Sequence, residues 1–171
     1  HQALVRARAI CGDKRVTSRF CDIRREVLSL PRTLDEVRVE VTSMRLKMQQ
    51  HLGTTRIEQR KGKFHLKQDA GGIVDIEFLA QFAVLAYAHD YTSLTNWSDN
   101  VRIFEEMATV GIWELEVCEQ LTDAYLRIRA ATHQLALAEQ SLLVDESLWF
   151  ETRALVQHQW QLLMGVLPTD G

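Results

Sequence analysis

Leu34, Val37, Val41, Met44 and Met48 recur every three or four residues between Thr33 and His51, with polar and charged residues filling the gaps. That spacing predicts an amphipathic helix with one buried stripe, and Gly53 just beyond it is the natural stop. Leu4, Val5 and Ile10 predict the tail of a first helix that ends at Gly12. Asp13 then caps a second helix, which runs to about Leu30 with Val16, Phe20, Ile23, Val27 and Leu30 on its inner face and Pro31 as its end. Residues 53–70 break the pattern and predict a loop, with a short extended piece near Phe64–Lys67. Helical patterning returns at Gly72 and lasts to about His89. A polar turn follows, in which Ser98 or Asp99 can cap a helix over Val101–Val110, and Gly111 breaks it. Leu115, Cys118, Leu121, Tyr125, Ile128 and Leu135 mark the inner side of a long helix from Glu114 to about Ala138, and a last one spans about Asp145 to Met164. Seven helices with mostly short connections predict an all-α helical bundle, folded as a single domain over residues 1–171.

Composition agrees with that class. The 171 residues are 46% hydrophobic, enough for one well-buried core, and only two prolines interrupt them. A net charge of −3 and a pI near 6.1 give no global argument for nucleic acid or an anionic membrane. The greasiest stretch, Ile73–Ala88, is broken by Asp75, Glu77 and Gln81 and is not a membrane span. Cys11, Cys21 and Cys118 are odd in number and lack paired spacing, which predicts reduced thiols in a cytoplasmic protein. The chain opens without Met inside a helical pattern, as a piece of a longer polypeptide would.

Candidate chemistry concentrates in "KQDAGGIVDIEF", Lys67 to Phe78. On a helical wheel Glu77 and Gln81 share a polar stripe, whereas Asp75 falls among Phe78, Leu79 and Phe82. A carboxylate there must be paired, hydrogen-bonded or open to a polar cleft. It is therefore either a buried structural acid near the helix start or the wall of a functional site. Gly71–Gly72 permits either a tight turn or the approach of a phosphate to the N–H groups of a helix start, and it matches neither a Walker loop nor a dinucleotide fingerprint. Ahead of it, Arg56, Arg60, Lys61, Lys63 and Lys67 face only Glu58, which fits a solvated loop or a phosphate-bearing partner. The six histidines show no metal-ligand spacing, no serine sits in a nucleophile elbow, and the four tryptophans are dispersed as core or interface anchors.

Taken together, "FHLKQDAGGIVDIEFLAQF" and "LTNWSDNVRIFEEM" resemble the helical domain of the glutamate-ammonia-ligase adenylyltransferases, the enzymes that adenylylate glutamine synthetase. "HQALVRARAICGD" is similar to the same family, so the resemblance runs essentially the whole chain. Its signature is carried by Lys67, Asp69, Gly71, Gly72, Ile73, Asp75, Ile76, Glu77 and Phe78. The resemblance implies an enzyme of two homologous halves, each a nucleotidyltransferase core followed by such a helical domain. The half that removes AMP typically has "GGIREIEF" here, and the carboxy-terminal half that adds AMP has "GG-x-x-DIEF" followed by "WSDN-x-R". Asp75, Trp97, Ser98, Asp99, Asn100 and Arg102 therefore point to the adenylylating half, and "LMGVLPTDG" is expected to be its natural C-terminus. The core's G-S and D-x-D motifs are missing from this chain. The fragment is thus expected to carry no catalytic residue and no metal ligand, and to be inactive alone.

As the resemblance implies, the full enzyme moves AMP from ATP to a tyrosine hydroxyl of glutamine synthetase with release of diphosphate, using Mg²⁺ on the core's carboxylates, and so regulates nitrogen assimilation. Neither ATP nor Mg²⁺ is expected on this fragment. The helical domain would close one wall of the cleft. Lys67 would contact phosphate or the core's acidic site, Gly71–Gly72 would present N–H groups, and Asp69 and Asp75 would orient Lys67 or basic groups of the core. Glu77 would pack or pair locally, and Asp99, Asn100 and Arg102 are secondary candidates. The implied partners are glutamine synthetase, the PII signal protein and the enzyme's own core, with no nucleic acid and no membrane. A rival reading is a noncatalytic module that docks glutamine synthetase or PII through exposed helices. The related uridylyltransferases that modify PII share a GG-containing signature, but "DIEF" and "WSDN" are absent from their usual pattern.

Overall fold

Short polar side chains decide where three of these helices begin, because they satisfy backbone N–H groups that a first turn leaves unpaired. The structure is a computed structural model that describes all residues except 56, 57, 60 and 166–171. After a brief α1 (Gln2–Arg6), Asp13 accepts a 2.8 Å bond from the Arg15 amide and starts α2 (Lys14–Leu28). Thr33 opens α3 (Leu34–Leu52) through a reciprocal box: its hydroxyl receives the Glu36 amide at 3.3 Å, and Glu36 receives the Thr33 amide at 3.2 Å. These bonds to Thr33 hold the Glu36 carboxyl below its ordinary range. Further on lie α4 (Ile73–Tyr87), α5 (Asn100–Thr109), capped by Asp99, α6 (Leu115–Leu137) and α7 (Phe150–Met164). The described residues thus form seven α-helices and one small two-stranded ladder, an all-α bundle as expected.

The axis of the bundle is α4. Eleven of its fifteen residues are buried, so it is apolar nearly all round rather than along one stripe. It contacts α1, α3, α5, α6 and α7, and Ile76, Leu79, Ala83 and Val84 are wholly enclosed. Val37 and Val41 of α3, Ile103, Phe104 and Met107 of α5, Leu121 and Ile128 of α6, and Val156 and Trp160 of α7 complete the core.

Two helices depart from their expected faces. The first ends at Arg6 rather than Gly12, leaving Ile10 exposed. In α2, which ends at Leu28, Val16 and Ile23 lie on the outside, as does Leu30 just beyond it, and the buried residues are Arg24 and Leu28. The cause is Arg24, whose guanidinium donates to the carbonyls of Leu4 (2.9 Å), Val5 (2.7 Å), Trp97 (2.9 Å) and Thr95. Those oxygens belong to the end of α1, to the 3-10 turn Thr92–Asn96 and to the Trp97 that follows it, inside what sequence reading takes as a plain polar turn. One planar fork engages four carbonyls, of which Leu4 O also accepts the Ala7 amide, and this turns α2 so that the arginine faces inward while Val16 and Ile23 face out. Burial lowers its pKa from the ordinary arginine value, with Cys21 opposing. In α3, Val37 and Val41 are buried as expected, Met44 is half exposed, and Arg45 takes the inner position instead. Leu115 of α6 is also exposed.

The extended piece in the basic loop is β1 (Lys63–His65), and it pairs antiparallel with β2 (Leu143–Asp145), Phe64 opposite Val144. A three-residue strand shows no alternation to detect, so its partner is invisible in the sequence. Because β2 and the 3-10 turn Glu146–Trp149 occupy the stretch assigned to the last helix, α7 starts at Phe150 rather than Asp145. Arg56 and Arg60 of the basic loop, and the terminal residues after Gly165, lie outside the described residues. Among the described residues no helix is long and apolar enough to cross a membrane.

The cysteines offer a direct check on this packing. Cys11 and Cys21 are exposed, whereas Cys118 is buried in α6 and burial pushes its thiol from 9.0 up to about 11. The shift alone lowers its reactive thiolate roughly a hundredfold at neutral pH. Brief iodoacetamide treatment of the native protein is therefore expected to label Cys11 and Cys21, with Cys118 labelled only after unfolding in urea. Peptide mass spectrometry reads the result, and equal labelling of all three would contradict this placement of α6.

Candidate functional site: the signature loop and the recess beside it

The signature folds as a loop that satisfies most of its amides itself. Leu66 N–H donates to Leu142 O (3.1 Å), which extends the strand pairing. The loop then turns back so that Gly72 donates to Asp69 O (2.9 Å), Ile73 to Leu66 O (2.9 Å) and Val74 to Lys67 O (3.4 Å). Gly71 N–H donates to Asp75 Oδ2 at 2.6 Å. The first turn of α4 therefore finds its acceptors within its own loop. The expected exposed pair of glycine N–H groups is corrected: both are bonded internally. What the glycines provide is room. Gly71 has φ +83°, and a Cβ there would lie 2.6 Å from Cγ and 2.7 Å from the carbonyl oxygen of Arg153. A Cβ on Gly72 would lie 2.8 Å from Leu66 O and 2.9 Å from Asp69 O.

Both acids of the loop point inward. Asp69 accepts from the Thr54 amide (2.7 Å), the Thr54 hydroxyl and the His65 amide (2.8 Å), tying the end of α3 to β1. Asp75 is 1% exposed and pairs with Arg45 of α3, itself 1% exposed. Arg45 also donates to Gln68 O (2.8 Å) and Asp69 O (3.2 Å). Burial pushes the Asp75 carboxyl above its ordinary value, while Arg45, the Gly71 N–H and Arg153 pull it back. Of the two open readings of Asp75, the geometry is that of the paired structural acid. Neither aspartate orients Lys67. From the other side Arg153 of α7 donates to Ala70 O (2.9 Å), pairs with Glu146 and lies 4.9 Å over the Phe64 ring, and Gln157 reaches Ala70 O at 3.2 Å. Sequence reading missed Arg45 and Arg153. A signal existed for the first, since Val37, Val41 and Arg45 follow one another at four-residue steps along the inner stripe.

Lys67 and Glu77 face outward. Glu77 accepts from Arg6 of α1 at 2.6 Å, a tertiary contact rather than a local one. Burial works against the Arg6 guanidinium, but the hydrogen bond and charge of Glu77, with help from Tyr125, leave it above its ordinary value. Lys67 is exposed, and with Arg6, Glu77, Tyr125, Arg129 and His133 it lines a recess of about 350 Å³. Arg129 lies 5.9 Å over the Tyr125 ring.

The "WSDN" residues form a separate unit at the start of α5. Asp99 caps that helix through the Arg102 amide (3.0 Å), and Arg102 pairs with Glu105 at 2.7 Å and lies 5.5 Å over the Trp97 ring. Asn100 is buried, and neither of its amide atoms has a partner among the described residues. No hydrogen bond of these three reaches the signature loop among the described residues. Nor does any group of three or more His, Cys, Asp or Glu among those residues gather as a metal site would require. With the oxygens of Asp69 and Asp75 already engaged by internal donors, these residues do not fit a Mg²⁺ site.

Comparison with known proteins bears on the whole of this architecture. The family model described as GlnD PII-uridylyltransferase matches residues 42–163, which include α4 and its loop as well as α5, α6 and most of α7. A curated protein of Acinetobacter baylyi, the bifunctional glutamine synthetase adenylyltransferase/adenylyl-removing enzyme, is 49% identical over 169 residues. That alignment covers 99% of this chain but only 18% of the relative. The chain belongs to the family described as GlnD PII-uridylyltransferase, and its resemblance to a glutamine synthetase adenylyltransferase holds along its full length.

Proposed function

We propose that this chain is the helical domain, residues 1–171, of the adenylylating half of a cytoplasmic enzyme that transfers AMP from ATP to a tyrosine hydroxyl of glutamine synthetase. The observation that carries the reading is the 49% identity maintained over 169 residues with an enzyme bearing that name. On this reading the carboxylates and Mg²⁺ that activate ATP belong to a nucleotidyltransferase core outside these residues, and the fragment alone is inactive. PII acts on the same enzyme as a signalling partner. The domain's contribution is a wall of the cleft, built rigidly by Asp69, Asp75, Gly71 and Gly72 and presenting Lys67 outward. Lys67 is the member of the signature that combines full charge with exposure and no ion pair among the described residues.

The test follows from that division of labour. Asp75→Asn is a poor probe of chemistry, because it breaks the buried pair with Arg45. Lys67→Ala, made in an enzyme that carries its core, is expected to keep its melting temperature. It should lower AMP transfer to glutamine synthetase about tenfold or more, as loss of a charge aimed at phosphate does. A folded variant with an unchanged rate would overturn the assignment and favour the docking module.

A further inference from the structure

We infer that the recess between α1, the signature loop and α6 is a binding site for a polyphosphate group, either free diphosphate or the phosphate tail of a nucleotide. Three full positive charges, Arg6, Lys67 and Arg129, converge there from three separate parts of the chain, with His133 at the rim. They face one carboxylate, Glu77, which Arg6 already neutralises at 2.6 Å. Lys67 and Arg129 form no ion pair among the described residues, so their charge is uncompensated by the protein. The guanidinium groups are also held in place before any ligand arrives. Arg6 is fixed by Glu77, and Arg129 lies over the buried Tyr125 ring at 5.9 Å, a contact that orients a planar cation. Pre-set arginine forks with a lysine beside them suit an anion with several acceptor oxygens better than a single carboxylate. The volume of about 350 Å³ admits such a group, and the opening to solvent leaves room for whatever carries it.

Lys67 is shared with the enzymatic reading above, but this inference does not need the core and is tested on the chain itself. Calorimetric titration at low salt with diphosphate, with ATP free of metal, and with adenosine gives the result. Diphosphate and ATP are expected to bind and adenosine not to. Arg129→Ala and Lys67→Ala are each expected to weaken binding about tenfold. Arg19→Ala, which removes an exposed arginine of α2 outside the recess, is the charge-matched control and should leave binding unchanged. Both recess residues are exposed, so an unaltered melting curve for either variant keeps the comparison valid. Binding of diphosphate without ATP identifies the free anion as the ligand and supports the site. Binding of ATP without diphosphate or adenosine identifies the nucleotide tail as the ligand and also supports the site. Binding of adenosine as tight as that of ATP, an equal loss in Arg19→Ala, or no binding at millimolar concentration overturns it. Diphosphate binding in an enzyme whose Lys67→Ala form transfers AMP at full rate keeps the recess and removes the catalytic reading, and the opposite pair of results does the reverse.

Discussion

Asp75→Ala is expected to cost this protein about 3–5 kcal/mol, because it leaves the Arg45 guanidinium charged and unpaired in a position that is 1% exposed. Two contributions make the change severe. Arg45 keeps its bonds to Gln68 O and Asp69 O, so it cannot swing out to solvent without releasing the loop. The Gly71 amide also loses its acceptor at 2.6 Å and becomes a buried orphan donor. Urea denaturation of native and variant chains measures the difference. A loss below about 1 kcal/mol would mean the pair is far better solvated than its burial indicates. Replacing both partners, Arg45→Met with Asp75→Leu, is expected to recover part of the loss, since two apolar groups remove the stranded charge. Recovery stays incomplete because three loop bonds that Arg45 and Asp75 made are still absent.

The second large effect is expected from Gly71→Ala. The residue sits at φ +83°, a region that costs an L side chain roughly 1–3 kcal/mol, and its new methyl would strike Arg153 at Cγ and at the carbonyl oxygen. Gly111→Ala isolates the first contribution, because Gly111 has φ +71° with nothing within 4 Å of the added carbon. Gly71→Ala should exceed it by about 1–3 kcal/mol, the usual cost of overpacking, as α7 is pushed off the loop. Equal losses for the two variants in the same denaturation experiment would show that Arg153 yields freely and that the close approach has no structural weight.

Periodicity along the chain located the helices well, because local repeats mark most of them and side-chain caps open α2, α3 and α5. It misjudged the orientation of α2, where Arg24 overrides the apolar stripe by satisfying four carbonyls from two distant segments. It also missed β2, whose pairing depends on a partner far along the chain. The signature was legible as a unit, yet the direction of its side chains was not. Both aspartates turn inward to Arg45, Thr54 and His65, while Lys67 and Glu77 turn outward. A helical wheel could place Asp75 among apolar neighbours, but only α3 could supply the guanidinium that makes that place tolerable.

The ladder between β1 and β2, together with the grip of Arg153 and Gln157 on Ala70, has a consequence for the order of assembly on the ribosome. The signature loop is made before β2 and α7, so two of its three supports come from residues made much later. Until β2 and α7 leave the exit tunnel, α4 has α1, α3, α5 and α6 to shield it but lacks the cover of α7, and its loop lacks both later supports. The stretch with the most specific sequence is thus among the last to reach its final shape, and a nascent chain stalled before β2 would present it unfinished to chaperones and proteases.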